Sequence, residues 1–100
     1  MRREEKYLKR IKEIALKIIG DEPVQVILFG SRGRGDQRRS SDVDLGILAK
    51  GKWHKEKLTL LREILEESTI PYTVEVVDLS SASPLLRERA IQEGVVWKDS

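Results

Sequence analysis

Cysteine is absent from the 100-residue chain, which excludes a disulfide framework, a thiolate zinc site and cysteine nucleophile chemistry. The single histidine, His54, argues against a histidine-based metal centre. No apolar run approaches the roughly 20 residues of a membrane span. The start, Met1-Arg2-Arg3-Glu4-Glu5-Lys6, lacks the apolar stretch of a signal peptide, so a cytoplasmic protein without membrane contact is expected. Asparagine is also missing and glutamine occurs only three times, while Glu, Lys and Arg abound. That is the compositional lean of a thermophile's protein, and a melting midpoint in the ordinary mesophile range would count against it. The basic excess is small, 19 Lys and Arg against 17 Asp and Glu, net +2, so only the distribution of charge could argue for nucleic acid.

The length corresponds to one domain over residues 1–100. A domain of this size buries roughly two thirds of its unfolded surface, enough for one core but not for an enclosing cavity. Function is therefore expected on a surface cleft or with a partner. From Arg3 to Ile19, Tyr7, Leu8, Ile11, Ile14, Ala15 and Ile18 recur at helical spacing, and Gly20 is a natural stop. Val24 to Phe29 is β-branched and aromatic and predicts a strand buried on both faces. Asp42 to Leu48 alternates, with Asp42, Asp44 and Gly46 on an exposed face opposite Val43, Leu45 and Ile47. Leu58, Leu61 and Leu65, with Leu60 and Ile64, predict a helix between Trp53 and Glu67. A third strand follows from Tyr72 to Leu79, then a helix capped by Ser83 with Pro84 at its first position and running to about Glu93. Val95-Val96-Trp97 is a last edge strand or packs under that helix. The fold class is α/β (α+β), a small mixed sheet of three to four strands flanked by helices.

The segment from Gly30 to Ser41 contains three glycines, four arginines and three serines and no apolar residue, so it is a functional loop or short helical turn. Gly30-Ser31 at the end of a buried strand suits phosphate oxygens, since a tight turn into a helix presents backbone N–H groups and a hydroxyl. Asp42 and Asp44 project from one strand face about 6.5 to 7 Å apart along the backbone, close enough to share hard cations. The alternative is a solvated strand face or a turn. If the strands ending at Gly30 and beginning at Asp42 are antiparallel neighbours, phosphate donors and carboxylates meet at one end of the sheet. Glu75 stands in an otherwise apolar strand, where a charge needs a task or a partner unless it guards an edge. Asp78, on the opposite face at the strand's end, is expected to serve a turn. Three carboxylates, a phosphate turn and local arginines describe a two-metal phosphoryl or nucleotidyl transfer site.

Gly30-Ser31 followed after ten residues by Asp42-Val43-Asp44 resembles the signature of the DNA polymerase beta-like nucleotidyltransferase superfamily, and within it the minimal nucleotidyltransferases. The resemblance covers the whole chain, from the leading helix to Glu93-Gly94-Val95. It implies that Gly30 and Ser31 contact the triphosphate of ATP and that Asp42, Asp44 and Glu75 bind two Mg2+ ions. The third acid of the family is usually aspartate. The extra methylene of Glu75 moves the carboxylate by about an ångström, a displacement that can cost on the order of a hundredfold in rate. Arg32 and Arg34, nearest Ser31, are placed to neutralise the triphosphate or the leaving pyrophosphate, or else belong with Arg38 and Arg39 to a solvated loop that balances Asp36 and its neighbours.

The resemblance further implies a small all-helical HEPN-type partner, an RNA-cutting toxin silenced by transfer of AMP to one of its tyrosines. Three readings follow: an adenylylating antitoxin, a catalytically weak relative that holds nucleotide and masks its partner by contact, and a nucleic-acid-binding domain. The last lacks aromatic residues around the arginines to serve as a stacking platform. A homodimer is compatible with each. His54, beside Trp53 at a helix start, is expected at the surface or in a cap, and Tyr72, Trp53 and Trp97 in the core.

Overall fold

Among the described residues seven elements follow one another: α1 (Arg3–Ile19), β1 (Val24–Phe29), β2 (Val43–Ala49), α2 (Glu56–Glu67), β3 (Val74–Asp78), α3 (Pro84–Glu93) and β4 (Val95–Lys98). They come from a computed structural model that describes residues 3–29, 43–71 and 73–99, with side chains described from residue 6 onward. Three boundaries follow from local chemistry. Gly20 closes α1 at φ 61°, its amide bonded to the Leu16 carbonyl at 2.9 Å; a residue with a Cβ would pay about 1–2 kcal/mol for that left-handed backbone. The Ser83 hydroxyl accepts from the Leu86 amide at 3.3 Å with Pro84 at the first turn of α3. Gly94 ends α3, its amide reaching the Ala90 carbonyl.

The strands form one mixed sheet in the order β3-β2-β1-β4. β1 is antiparallel to β2 and to β4, while β2 and β3 are parallel and joined by the crossover helix α2. β4 is thus an edge strand, one of the two outcomes expected of Val95-Val96-Trp97. Its end is fastened by Lys98 Nζ, which donates to the carbonyls of Glu22 (2.8 Å) and Val24 (3.2 Å).

One face of the sheet is covered by α1 and α2. Ile11, Ala15, Ile19, Leu58, Leu61 and Leu65 pack there against alternate residues of the strands, including Val26, Leu45 and Ile47. Trp53 and Trp97 lean on this core half-buried, as expected, whereas Tyr72 lies outside the described residues. The opposite face carries a smaller core of Ile27, Phe29, Leu48, Leu79 and Ala90. Here the expectation of an exposed β2 face is corrected. Gly46 and Leu48 are buried because α3 and the turn after β3 fold over them. A Cβ on Gly46 would lie 2.5 Å from Leu79 Cδ1 and 3.1 Å from Phe29 Cε1, so only hydrogen fits. Two further corrections concern α2, which begins at Glu56 and leaves Leu60 and Ile64 46% and 37% exposed, and β3, which begins at Val74.

β3 forms the other sheet edge. The Thr73 carbonyl bonds the Val43 amide and the Leu79 amide bonds the Ile47 carbonyl, so by strand alternation the backbone of Val76 faces outward. Arg62 of α2 occupies that position, its Nε and Nη2 both donating to the Val76 carbonyl at 3.1 and 2.8 Å.

Candidate active site

The carboxylate end of the sheet is set by register. β1 and β2 are antiparallel neighbours, the condition on which the phosphate turn and the acids share one end, and Phe29, the residue before Gly30, pairs with Asp44. On the other side of β2, Asp44 pairs with Glu75 in the parallel ladder. Paired residues project to the same face and neighbouring strands lie about 4.8 Å apart, so the two carboxylates stand side by side on the face that carries the smaller core. They stand at the margin of that core, level with Phe29, Asp44 half-buried and Glu75 exposed. Two adjacent carboxylates, one half-buried and one exposed, are oxygen donors of the kind that suits a hard divalent cation.

The structure therefore brings together Asp44 and Glu75. Asp42, two residues before Asp44, lies outside the described residues, as do Gly30, Ser31, Arg32 and Arg34. Among the described residues no group of three or more His, Cys, Asp or Glu is arranged to hold a metal.

A cleft of about 710 Å³ runs from Glu75 along β3 to Asp78 and is walled by Arg62, Leu65 and Glu66 of α2. Asp78 serves the turn, as expected, accepting from the Ser80 amide at 3.1 Å and the Ser81 hydroxyl at 3.0 Å.

A second polar cluster lies away from the paired carboxylates and was not legible as a cluster. Glu22, 9% exposed, accepts from Lys57 Nζ at 2.9 Å and lies 2.7 Å from His54 Nδ1. The hydrogen bond from Lys57, followed by that from His54, lowers the Glu22 carboxyl from 4.5 to about 2. His54 itself is exposed, as expected, and its carbonyl accepts from the Lys57 amide at the start of α2. Residues more than thirty positions apart meet here, with no local pattern to announce them.

A mixed four-stranded sheet with two helices on one face and paired acids at one end defines a nucleotidyltransferase-like domain. The polymerase beta nucleotidyltransferase family model matches residues 9–99, and the chain belongs to that family. The protein adenylyltransferase MntA of Shewanella oneidensis is 35% identical over 69 residues, 69% of this chain and 49% of that one; the matched stretch thus spans about half the length of that relative. A Haemophilus influenzae protein is 31% identical over 78 residues, 78% of this chain and 67% of the other. A crystal structure of a toxin–antitoxin with AMP-PNP superposes with a TM-score of 0.69 at 28% identity, covering 89% of this chain and 73% of that chain. No helix among the described residues is long and apolar enough to cross a membrane.

Proposed function

We propose that the chain is a Mg2+-dependent nucleotidyltransferase that moves AMP from ATP to a hydroxyl, a tyrosine of a small all-helical HEPN-type toxin, and so acts as a cytoplasmic antitoxin. The observation that carries this reading is the pairing of Asp44 with Glu75 across β2 and β3 in a member of the polymerase beta nucleotidyltransferase family. The adenylyltransferase relative and the structural likeness to a toxin–antitoxin with AMP-PNP support the donor and the kind of acceptor.

Asp42, Asp44 and Glu75 would hold the ions, Gly30 and Ser31 would receive the triphosphate, and Arg32 and Arg34 would take charge from the leaving pyrophosphate. The acceptor oxygen forms a bond to the α-phosphorus, the bond from that phosphorus to the bridging oxygen breaks, pyrophosphate departs and the hydroxyl proton passes to solvent. Bound Mg2+ supplies Lewis-acid stabilisation of the charge on entering and leaving oxygens. The open cleft beside Glu75 leaves the acceptor to be presented by a partner.

Incubating the protein with α-labelled ATP, Mg2+ and the helical product of an adjacent gene tests this. Label should reach the partner and should not do so with Asp42→Ala or Asp44→Ala. Toxicity blocked without any label on the partner would instead establish masking by contact, the reading that glutamate at position 75 favours. Salt-dependent oligonucleotide affinity that disappears with the arginines would establish nucleic-acid binding.

A further inference from the structure

Arg62 stands where an arginine ordinarily finds an acid, yet it bonds a carbonyl. Arg62 and Glu75 line the same cleft at the β3 edge, and a guanidinium forks most strongly onto a carboxylate. Its Nε and Nη2 instead converge on the carbonyl of Val76, the residue after Glu75. Among the described residues the exposed Glu75 carboxylate has no hydrogen bond or ion pair. With its side chain unheld, Glu75 is placed by its backbone alone. That backbone belongs to a five-residue edge strand whose ladder is made on one side, with β2. On the open side Arg62 supplies two donors. Leu58, Leu61 and Leu65 bury α2 against the sheet, and Arg62 follows Leu58 by about one helical turn. It therefore ties the outer edge of β3 to a helix anchored in the larger core.

We infer, on the reading of Glu75 as a metal ligand, that Arg62 is a positioning residue for that carboxylate. Its two-pronged bond fixes the β3 backbone so that Glu75 stays level with Asp44, and it leaves the acid's oxygens to the cation. The ladder to β2 sets the register, and the fork resists the outward swing that a one-sided ladder allows. Glutamate makes the demand sharper. A small rotation at its Cα is carried through three further bonds to the carboxylate, and misplacement of a reacting group by about an ångström is enough to disable a site. Charge alone predicts the opposite behaviour. A guanidinium beside a cation site repels the cation, so removing Arg62 would tighten metal binding if the fork were without effect.

The test is Mn2+ binding by the full chain without nucleotide, followed by the paramagnetic resonance of the free ion, with amide hydrogen exchange of β3 alongside. Mn2+ takes the same hard oxygen donors as Mg2+. Arg62→Gln should weaken Mn2+ binding about tenfold and speed exchange at the amides of Glu75 and Val77, which by strand alternation face β2. Arg62→Lys, which keeps the charge but not the fork, should also weaken binding, by less. In the double variant, Arg62→Gln should add nothing to the loss that Glu75→Gln causes alone, because both act through one carboxylate. Ile11→Val, which trims the larger core from α1, should lower the melting midpoint and leave Mn2+ affinity where it was, so positioning is separated from general loosening. Unchanged exchange in β3, unchanged or tighter Mn2+ binding by Arg62→Gln, or additive losses in the double variant overturns the inference while the reading of Glu75 stands. A wild type that binds no Mn2+ at millimolar concentration, or a Glu75→Gln that binds as well as wild type, removes the metal reading of Glu75, and the positioning role falls with it.

Discussion

The two faces of the sheet are built for different ends. One is sealed by two helices that bury Ile11, Ile19, Leu61, Leu45 and Ile47 completely. The other is closed by one short helix and a turn over a smaller core, at whose margin Asp44 stands beside Phe29 and Glu75 beside Asp44. On the proposed reading stability belongs to the first face and chemistry to the second, because an acid pair can neither be sealed in apolar surroundings without a partner nor act if it is covered.

The sharpest way to break this contrast is one substitution on each face. Leu61→Ala should cost about 2–5 kcal/mol of unfolding free energy, read from denaturant midpoints, with transfer per folded molecule unchanged. Asp44→Ala should lower transfer at least about a hundredfold with the midpoint nearly unmoved. If Asp44→Ala unfolds the protein instead, the division of labour is wrong. Glu75→Asp refines the chemical half: withdrawing the carboxylate toward the usual family position should raise transfer by up to about a hundredfold, and a fall would mean that this strand is spaced for glutamate.

Gly46→Ala probes the boundary between the regions. Its methyl would push on Leu79 and Phe29, costing about 1–3 kcal/mol, and because Phe29 pairs with Asp44, transfer should fall along with stability. Loss of stability alone would show that the smaller core does not position the acid.

The smallest expected effect is that of acid on Glu22, at the margin of the larger core. Its carboxyl is lowered from 4.5 to about 2 by Lys57 and His54, so the unfolded chain binds the proton more readily. The contribution of Glu22 is fully present above pH 4.5 and fades as pH falls toward 2. The urea midpoints of wild type and Glu22→Gln should therefore differ most at pH 6, differ less at pH 3 and converge only near pH 2. An undiminished difference at pH 3 would remove the ion-pair explanation.

Much of this was legible in the sequence wherever a local cause fixes the outcome. Gly20 ends α1, Ser83-Pro84 starts α3, and continuous β-branched residues mark β1, so those elements fall where the pattern puts them. Asp44 was singled out by its spacing from the glycine-serine turn and Glu75 by its apolar neighbours. That they pair was not legible, because the β2–β3 register is set by the length and packing of α2 between them. The burial of Gly46 was missed for a similar reason: alternation tells which residues share a face, not whether a distant helix covers it. Leu60 and Ile64 were drawn into the apolar stripe by composition although their helical phase turns them toward solvent. Gly30, Ser31, Arg32, Arg34 and Asp42 lie outside the described residues, and their roles stand on the resemblance and on the end of the sheet at which Phe29 and Asp44 meet.

The fork of Arg62 on the Val76 carbonyl has a consequence for how the protein behaves when crowded. An open edge strand is a template on which further strands can stack, and β3 is such an edge. Its outward carbonyl at Val76 is already held by two donors, and that of Asp78 by the Ser81 amide. An arriving strand would have to displace a charge-assisted, two-pronged bond before making its own first rung. The same arginine that walls the cleft thus blunts strand addition at this edge at high concentration.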